Sequence, residues 1–367
     1  MNTQKAISIL ILSLCIVPLN AQEETETVQT QDKIQSFTKY DFVAGDKILF
    51  FDDFSQDAIG DFPALWNTDG SGEVQTISNY PGKWLKTTSD DNAYCLMKDL
   101  KLPNDFIFEF DVIPTPKDPE EDDSFSNFGF TFYRCQDEFL QTDIIPGDKG
   151  FSVIAGTDGW KADGYENGDY TVNMASELAP VKINKLNHVI LWVQNRRLRI
   201  YYDGQKVIDG PTALPANTTY NRFRIAMYGR SGHPFFSNIK ITTAAPDTRS
   251  KLLTEGKLIS YGIYFDSGKD VVKQESYGAL NDIAVVLKEN SGVKIKITGY
   301  TDSDGDDALN LDLSKRRAAA VKNELVKTFG IDAARIQTDG KGESEPVAAN
   351  TNAESKAKNR RVEFIKL

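Results

Sequence analysis

Histidine and cysteine are the scarcest chemistry-bearing residues of this 367-residue chain, at two and three copies. His188 and His233 are too few for a histidine-based metal centre, and neither has ligand or triad partners beside it in the sequence. Cys15 falls in an apolar N-terminal run, which leaves Cys95 and Cys135. Two thiols build no disulfide scaffold, and their spacing fits neither a zinc ribbon nor a redox pair. Pairing with each other and persisting as buried free thiols both remain open. Long apolar runs are also missing: beyond Leu19 nothing approaches the roughly 20 residues of a membrane-spanning helix. Positive charge is in deficit, with a formal net charge of −11. Residues 251–367 are near balance, at 19 basic and 18 acidic side chains, whereas the remainder holds 23 basic and 35 acidic. Such a surface repels phosphates, so nucleic acid is not an expected partner.

What is present falls into segments. Lys5 precedes an apolar run over 6–19, and Leu19-Asn20-Ala21 ends in a small residue, the pattern of a secretory signal peptide over 1–21. A lipidated Cys15 is disfavoured, because bulky Leu14 stands where a lipoprotein peptidase requires a small side chain. Residues 22–46 are rich in Gln, Thr, Glu and Asp and read as a flexible acidic leader. Residues 47–243 then show short alternating runs broken by Gly, Pro, Asn and Asp. In Phe106-Ile107-Phe108-Glu109-Phe110-Asp111-Val112 the phenylalanines share one face, with Glu109 and Asp111 on the other. Phe128 to Phe132 repeats the idea. His188 to Val193, a turn at Asn195-Arg196 and Leu198 to Tyr202 predict a hairpin, and Asp203-Gly204 predicts a tight turn into Gln205 to Ile208. Strands over Arg222 to Tyr228 and Phe235 to Thr242 close the set. This pattern predicts a β-sandwich. A membrane barrel is disfavoured, since Glu109, Asp111, Arg197 and Arg199 occupy mid-strand positions that would face lipid.

Residues 244–254 read as a linker, and 255–367 as an α/β domain with a mixed sheet and helices packed on it. The expected elements are strands at Leu258–Phe265, Val293–Thr301, Arg335–Gly340 and Arg361–Leu367, with helices at Lys273–Asn290 and Ala308–Phe329. Asp302 stands where a strand ends and an acidic turn leads into the second helix. Asn310 and Arg317 lie seven residues apart, two helical turns, and so share a stripe. The guanidinium of Arg317 suits a carboxylate, Asp302 suits an ammonium, and Asn310 can donate and accept. Together they describe a receptor for an amino acid-like end group, against the plain alternative of a surface ion pair. Asp302, Asp304 and Asp306 alternate as in a calcium loop, but Asp307 and Leu313 stand where such a loop needs Gly and Glu. No metal or cofactor is expected.

Gly299-Tyr300-Thr301-Asp302, Asn310, Leu313-Ser314-Lys315-Arg316-Arg317-Ala318, Gly340-Lys341-Gly342-Glu343 before Pro346, Asn350 and Asn359-Arg360-Arg361-Val362 occur in that order. In these pieces residues 255–367 resemble the OmpA-like C-terminal domain, a periplasmic peptidoglycan-binding module. The resemblance implies noncovalent binding of the diaminopimelate residue of the stem peptide, through Asp302 and Arg317. It also places Asn310, Thr301, Asp266 and Arg361 at binding or supporting positions. Tyr300 replaces a common His that is not a recognition residue.

Residues 47–243 resemble, more loosely, laminin G or concanavalin-like sandwiches, in Asn187-His188-Val189, the strand into Tyr202-Asp203-Gly204, and Ser237 to Ile241. That likeness speaks to fold more than to role. Sandwich glycosidases carry Glu-x-Asp-x-x-Glu on one strand; Glu109-Phe110-Asp111 begins it, but Pro114 stands where the second Glu belongs. A non-catalytic role is therefore expected. Trp66, Trp84, Trp160 and Tyr165 are candidate sugar platforms or core residues, and Asp118–Asp123 a candidate calcium loop or a solvated one. The whole reads as an exported protein, periplasmic, bound to the cell wall and associated with the outer membrane. It would tether a sandwich, with outer membrane proteins or glycans as its partners, to peptidoglycan. The alternative is a wall-targeted carbohydrate-active enzyme or lectin.

Overall fold

The structure, a computed structural model, describes residues 42, 45, 47–88, 91–116, 127–136, 140–228, 232–244, 248 and 251–367. The expected signal peptide, nearly all of the acidic leader, the run Asp118–Asp123 and part of the 244–254 linker lie outside the described residues. Two large antiparallel sheets stack in the N-terminal half. One orders its strands Gln205–Gly210, Arg197–Tyr202, Asn187–Gln194, Asp105–Ile113, Phe235–Thr243, Tyr80–Thr87 and Gly72–Ile77, and Ile48–Asp52 also pairs with Phe235–Thr243. The other runs Asp169–Ser176, Gly159–Glu166, Lys149–Gly156, Asn127–Arg134, Arg222–Ala226, Ala93–Leu96 and Trp66–Thr68.

Period-two alternation dictates the core. Phe106, Phe108, Phe110 and Val112 turn inward from one sheet and meet Phe128, Phe130, Phe132 and Phe223 of the other. Phe108 and Phe132 hold their ring centroids 4.8 Å and 4.9 Å from that of Phe223. Such pairs add about 0.5–1.5 kcal/mol beyond area burial. The expected turns form, with Asn195 (φ 53°), Asp203 (φ 50°) and Gly204 (φ 70°) in the left-handed region that hairpin loops require. Trp66, Trp84, Trp160 and Tyr165 are all buried, so none is a sugar platform. Trp66 and Trp160 are tied down by their indole N–H groups, to Asp52 Oδ2 (2.8 Å) and the Ala179 carbonyl (3.0 Å). Cys95 and Cys135 are free thiols.

The C-terminal half is a four-stranded mixed sheet in the order Lys257–Ser260, Val362–Lys366, Ile295–Tyr300 and Ile336–Gly342. The first two pairings are antiparallel and the last parallel. Helices α1 (Tyr277–Glu289) and α2 (Asp307–Lys327) cover one face. Leu280, Ile283 and Leu287 of α1 and Ala318, Val321 and Leu325 of α2 share a core with Ile295, Ile297 and Phe364. A short helix, α3 (Ala353–Asn359), begins with a capping box between Asn352 and Ser355. The first strand ends at Ser260 rather than Phe265, because the chain from 261 to 273 leaves the sheet and Tyr264 turns to the sandwich. Among the described residues no helix is long and apolar enough to cross a membrane.

Helix α2 lies directly on the sheet because two strand positions lack side chains. A Cβ at Gly299 would stand 2.3 Å from the Ser314 carbonyl oxygen, and one at Gly340 would stand 2.4 Å from the Lys315 nitrogen. Gly299→Ala should therefore push α2 off the sheet at a cost of about 1–3 kcal/mol. A lowered urea midpoint with an unchanged slope is the expected signature.

The outer face of the first sheet carries the largest departure from expectation. Glu109 and Asp111 do point outward, but they are not ordinary solvated residues, because the C-terminal half covers them. Glu109 is 1% exposed. Its Oε2 accepts from Tyr264 Oη (2.7 Å), and its Oε1 pairs with Lys240 Nζ (3.1 Å). His188, which the sequence left without partners, holds Asp111 Oδ1 at 2.7 Å through Nδ1 and faces Glu109 Oε2 at 3.4 Å through Nε2. Asn238 donates to the other Asp111 oxygen at 2.7 Å.

Burial alone would lower the His188 pKa and raise that of Glu109, but their mutual attraction, with Asp111, Lys240 and Tyr264, outweighs it. His188 is raised to about 9 and Glu109 lowered to about 2. A raised histidine stabilises the fold fully below its unfolded value of about 6.5 and loses that contribution as pH climbs through about 9. Unfolding free energy in urea should thus fall between pH 6.5 and 9, and His188→Gln should flatten that slope.

Candidate functional site

Asp302 is placed by the end of a strand. The Tyr300 N–H donates to the Arg361 carbonyl (3.0 Å) and the Thr301 N–H to that of Gly342 (2.9 Å), so the chain is held until it breaks into the turn. The turn then passes to α2 through Asp306, whose carboxylate accepts from the Ala308 and Leu309 amides as an N-cap. The three acids of the turn serve different partners. Asp302 Oδ1 accepts from the Asp304 amide (3.2 Å), Asp304 pairs with Lys356 (2.7 Å), and Asp306 caps the helix.

Asp302 is 8% exposed, and its Oδ2 accepts from Arg360 Nη1 at 2.6 Å. Asn310, one turn into α2, donates to the Asp304 carbonyl (3.0 Å) and to Glu343 Oε2 (2.7 Å). It fastens the turn to the helix and to the Gly342-Glu343 segment. The Thr301 hydroxyl beside Asp302 is buried, and no group among the described residues bonds to it.

Arg317 sits two turns beyond Asn310 on α2, half-buried over the ring of Phe265 at 4.9 Å. Its Nε donates to the Lys269 carbonyl (2.9 Å) and its Nη2 to that of Asp266 (3.2 Å). Neutral oxygens orient it, and among the described residues no carboxylate lies within 4.0 Å. Burial pulls its pKa down to about 10, against the opposing attraction of Asp302, so it stays cationic at neutral pH. Arg317 is thus an oriented cation that feels the charge of the buried Asp302 carboxylate and, among the described residues, has no paired carboxylate of its own.

The remaining expected residues are placed differently. Asp266 contributes its carbonyl, while its carboxylate turns to Lys269 (3.0 Å) and Lys273 (3.8 Å). Arg361 is not brought to the pair. Val362 and Phe364 face the helices, so Arg361 and Glu363 occupy the other face of the sheet. There Arg361 lies 3.6 Å from the Tyr300 ring centroid, with Nε on Glu363 Oε1 (2.9 Å) and Nη2 on the Glu345 carbonyl (3.0 Å). Its neighbour Arg360 reaches Asp302 instead. Sequence reasoning also missed Phe265 beneath Arg317, and Phe51 and Asp53 of the sandwich beside Arg360. The doublet Arg360-Arg361 was the one available signal, and it did not say which arginine turns inward.

The model of the OmpA family matches residues 264–360, and the chain carries an OmpA family domain there. The probable lipoprotein YiaD of Escherichia coli (strain K12) is 45% identical over 102 residues, 28% of this chain and 46% of that protein. The peptidoglycan-binding protein ArfA of Mycobacterium bovis is 34% identical over 140 residues, 35% of this chain and 41% of that one. The chain thus spans less than half the length of either relative. Among solved structures, the carbohydrate-binding module CBM66 from Bacillus subtilis aligns with 49% of this chain and 96% of its own, at 18% identity and a TM-score of 0.34. A likeness that distant carries no functional argument.

Proposed function

We propose that this chain is a non-catalytic envelope protein that binds peptidoglycan through residues 264–360 and so tethers its β-sandwich to the cell wall, in the periplasm and beside the outer membrane. The observation that carries the reading is Arg317, cationic, oriented by two carbonyls, without a paired carboxylate among the described residues, and within the electrostatic reach of Asp302. The name of the relative ArfA and the family of residues 264–360 support the same ligand. Diaminopimelate supplies an ammonium for Asp302 and, on the same carbon, a carboxylate for Arg317. Lysine lacks that carboxylate and would leave a partly desolvated guanidinium unpaired, at a cost of about 1–3 kcal/mol.

A hydrolytic sandwich is the weaker reading. Glu109 and Asp111, which begin the acid pattern of a sandwich glycosidase, are covered and engaged by His188, Lys240 and Tyr264. Co-sedimentation of the purified chain with insoluble sacculi tests the proposal. Retention on diaminopimelate-type wall should exceed that on lysine-type wall by roughly tenfold or more. Equal retention on both, or none, rules the reading out.

A further inference from the structure

Both charged arms of the proposed wall site rest on the sandwich. Arg317 takes its orientation from the segment 265–269, through the Phe265 ring and the carbonyls of Asp266 and Lys269. That segment follows directly on Tyr264, whose side chain is planted on the outer face of the first sheet. The Tyr264 hydroxyl donates to Glu109 Oε2 (2.7 Å) and accepts from Lys240 Nζ (3.2 Å). The same ammonium lies 4.5 Å from the Tyr264 ring centroid, and the His188 ring centroid lies 5.8 Å from it. These partners come from three adjacent sandwich strands, Asp105–Ile113, Asn187–Gln194 and Phe235–Thr243.

The other arm is built alike. Arg360, which holds Asp302, lies over the ring of Phe51 (5.1 Å) with Nη2 3.9 Å from Asp53. Just before it, α3 packs Ala353 and Ala357 on Ile48 and Phe51 of the sandwich, and Glu354 pairs with Lys98 at 3.3 Å. The OmpA family match begins at residue 264 and leaves the whole sandwich outside it.

We infer that the sandwich is a working part of the wall-binding site: Tyr264, seated on Glu109 and Lys240, is a positioning residue that fixes Arg317 for the carboxylate of a diaminopimelate-type ligand. This rests on the proposed wall-binding function. A bond to a carboxylate that is 1% exposed restricts the Tyr264 segment more than a bond to a solvated one, because water competes little for Glu109. Released from it, residues 265–269 gain freedom, and Arg317 loses the fixed fork that distinguishes a ligand with the second carboxylate from one without.

The test uses the full chain, with Tyr264→Phe and Lys240→Gln made separately. Each is measured for retention on diaminopimelate-type and lysine-type sacculi beside Asp302→Ala, with thermal melting as the check on folding. Tyr264→Phe keeps the ring and deletes only the hydroxyl, and Lys240→Gln carries the test should it fail to fold. The expected result is a three- to tenfold narrowing of the preference for diaminopimelate-type wall, with retention on lysine-type wall little changed. A purely structural bond would leave that ratio alone or lower both retentions together, and either outcome overturns the inference. A wild-type chain that shows no preference overturns the wall-binding reading itself, which separates the two failures.

Discussion

Asp302→Ala is expected to release the chain from diaminopimelate-type sacculi, lowering retention by about ten- to a hundredfold. A charge-assisted bond to an ammonium contributes about 1.5–3 kcal/mol, and each 1.4 kcal/mol is a factor of ten in affinity. The loss should be felt on lysine-type wall too, since both side chains offer an ammonium. Arg317→Ala should differ in kind, abolishing the preference between the two walls. Arg317→Lys should recover little of it, because an ammonium is a point charge without the fork that meets both carboxylate oxygens. Neither position is a strong determinant of the fold. Arg317 is half-buried on the outer stripe of α2, and the Asp302 carboxylate accepts from the Asp304 amide of its own turn and from Arg360. Circular dichroism of both variants should therefore match the parent chain.

Glu109→Ala is the substitution with the largest expected cost in stability. Glu109 is the anion shared by Lys240, His188 and Tyr264 at 1% exposure. Removing it takes the paired carboxylate from the Lys240 ammonium and leaves the His188 imidazolium with Asp111. Breaking a buried pair from one side costs about 3–5 kcal/mol. A fall in the urea midpoint of matching size is expected, and Glu109→Gln, which keeps volume and one acceptor, should fall less. Restoring stability by adding His188→Gln to Glu109→Ala would show that the cost lies in the uncompensated cation rather than in lost packing.

The fold was legible where its period is local. Phe106, Phe108 and Phe110 against Glu109 and Asp111 announce a strand with one core face, and Asp203-Gly204 announces the hairpin between Arg197–Tyr202 and Gln205–Gly210. Helix α2 was equally plain as the helix following the acidic turn, expected over Ala308–Phe329 and observed over Asp307–Lys327. Asp302 and Arg317 could be paired because strand, turn and two helical turns fix their separation within one local unit. What stayed hidden depends on distant chain. Tyr264 and Glu109 are 155 residues apart in sequence, so nothing near Glu109 shows that its outer face is covered. Arg360 and Arg361 are indistinguishable until the strand register is known: Val362 in the core puts Arg361 on the far face and frees Arg360 for Asp302. Helix α3 was missed because its seven residues bury little beyond Ala353, Ala357 and Asn359, against the sandwich rather than a helical core.

The most direct test is calorimetric titration of the chain with a soluble stem peptide carrying diaminopimelate, beside the same peptide carrying lysine. One saturable site is expected for the first ligand and affinity at least about tenfold weaker for the second, the gap closing in Arg317→Ala. Equal affinities for the two peptides, or a preference that survives the loss of Arg317, would contradict that expectation.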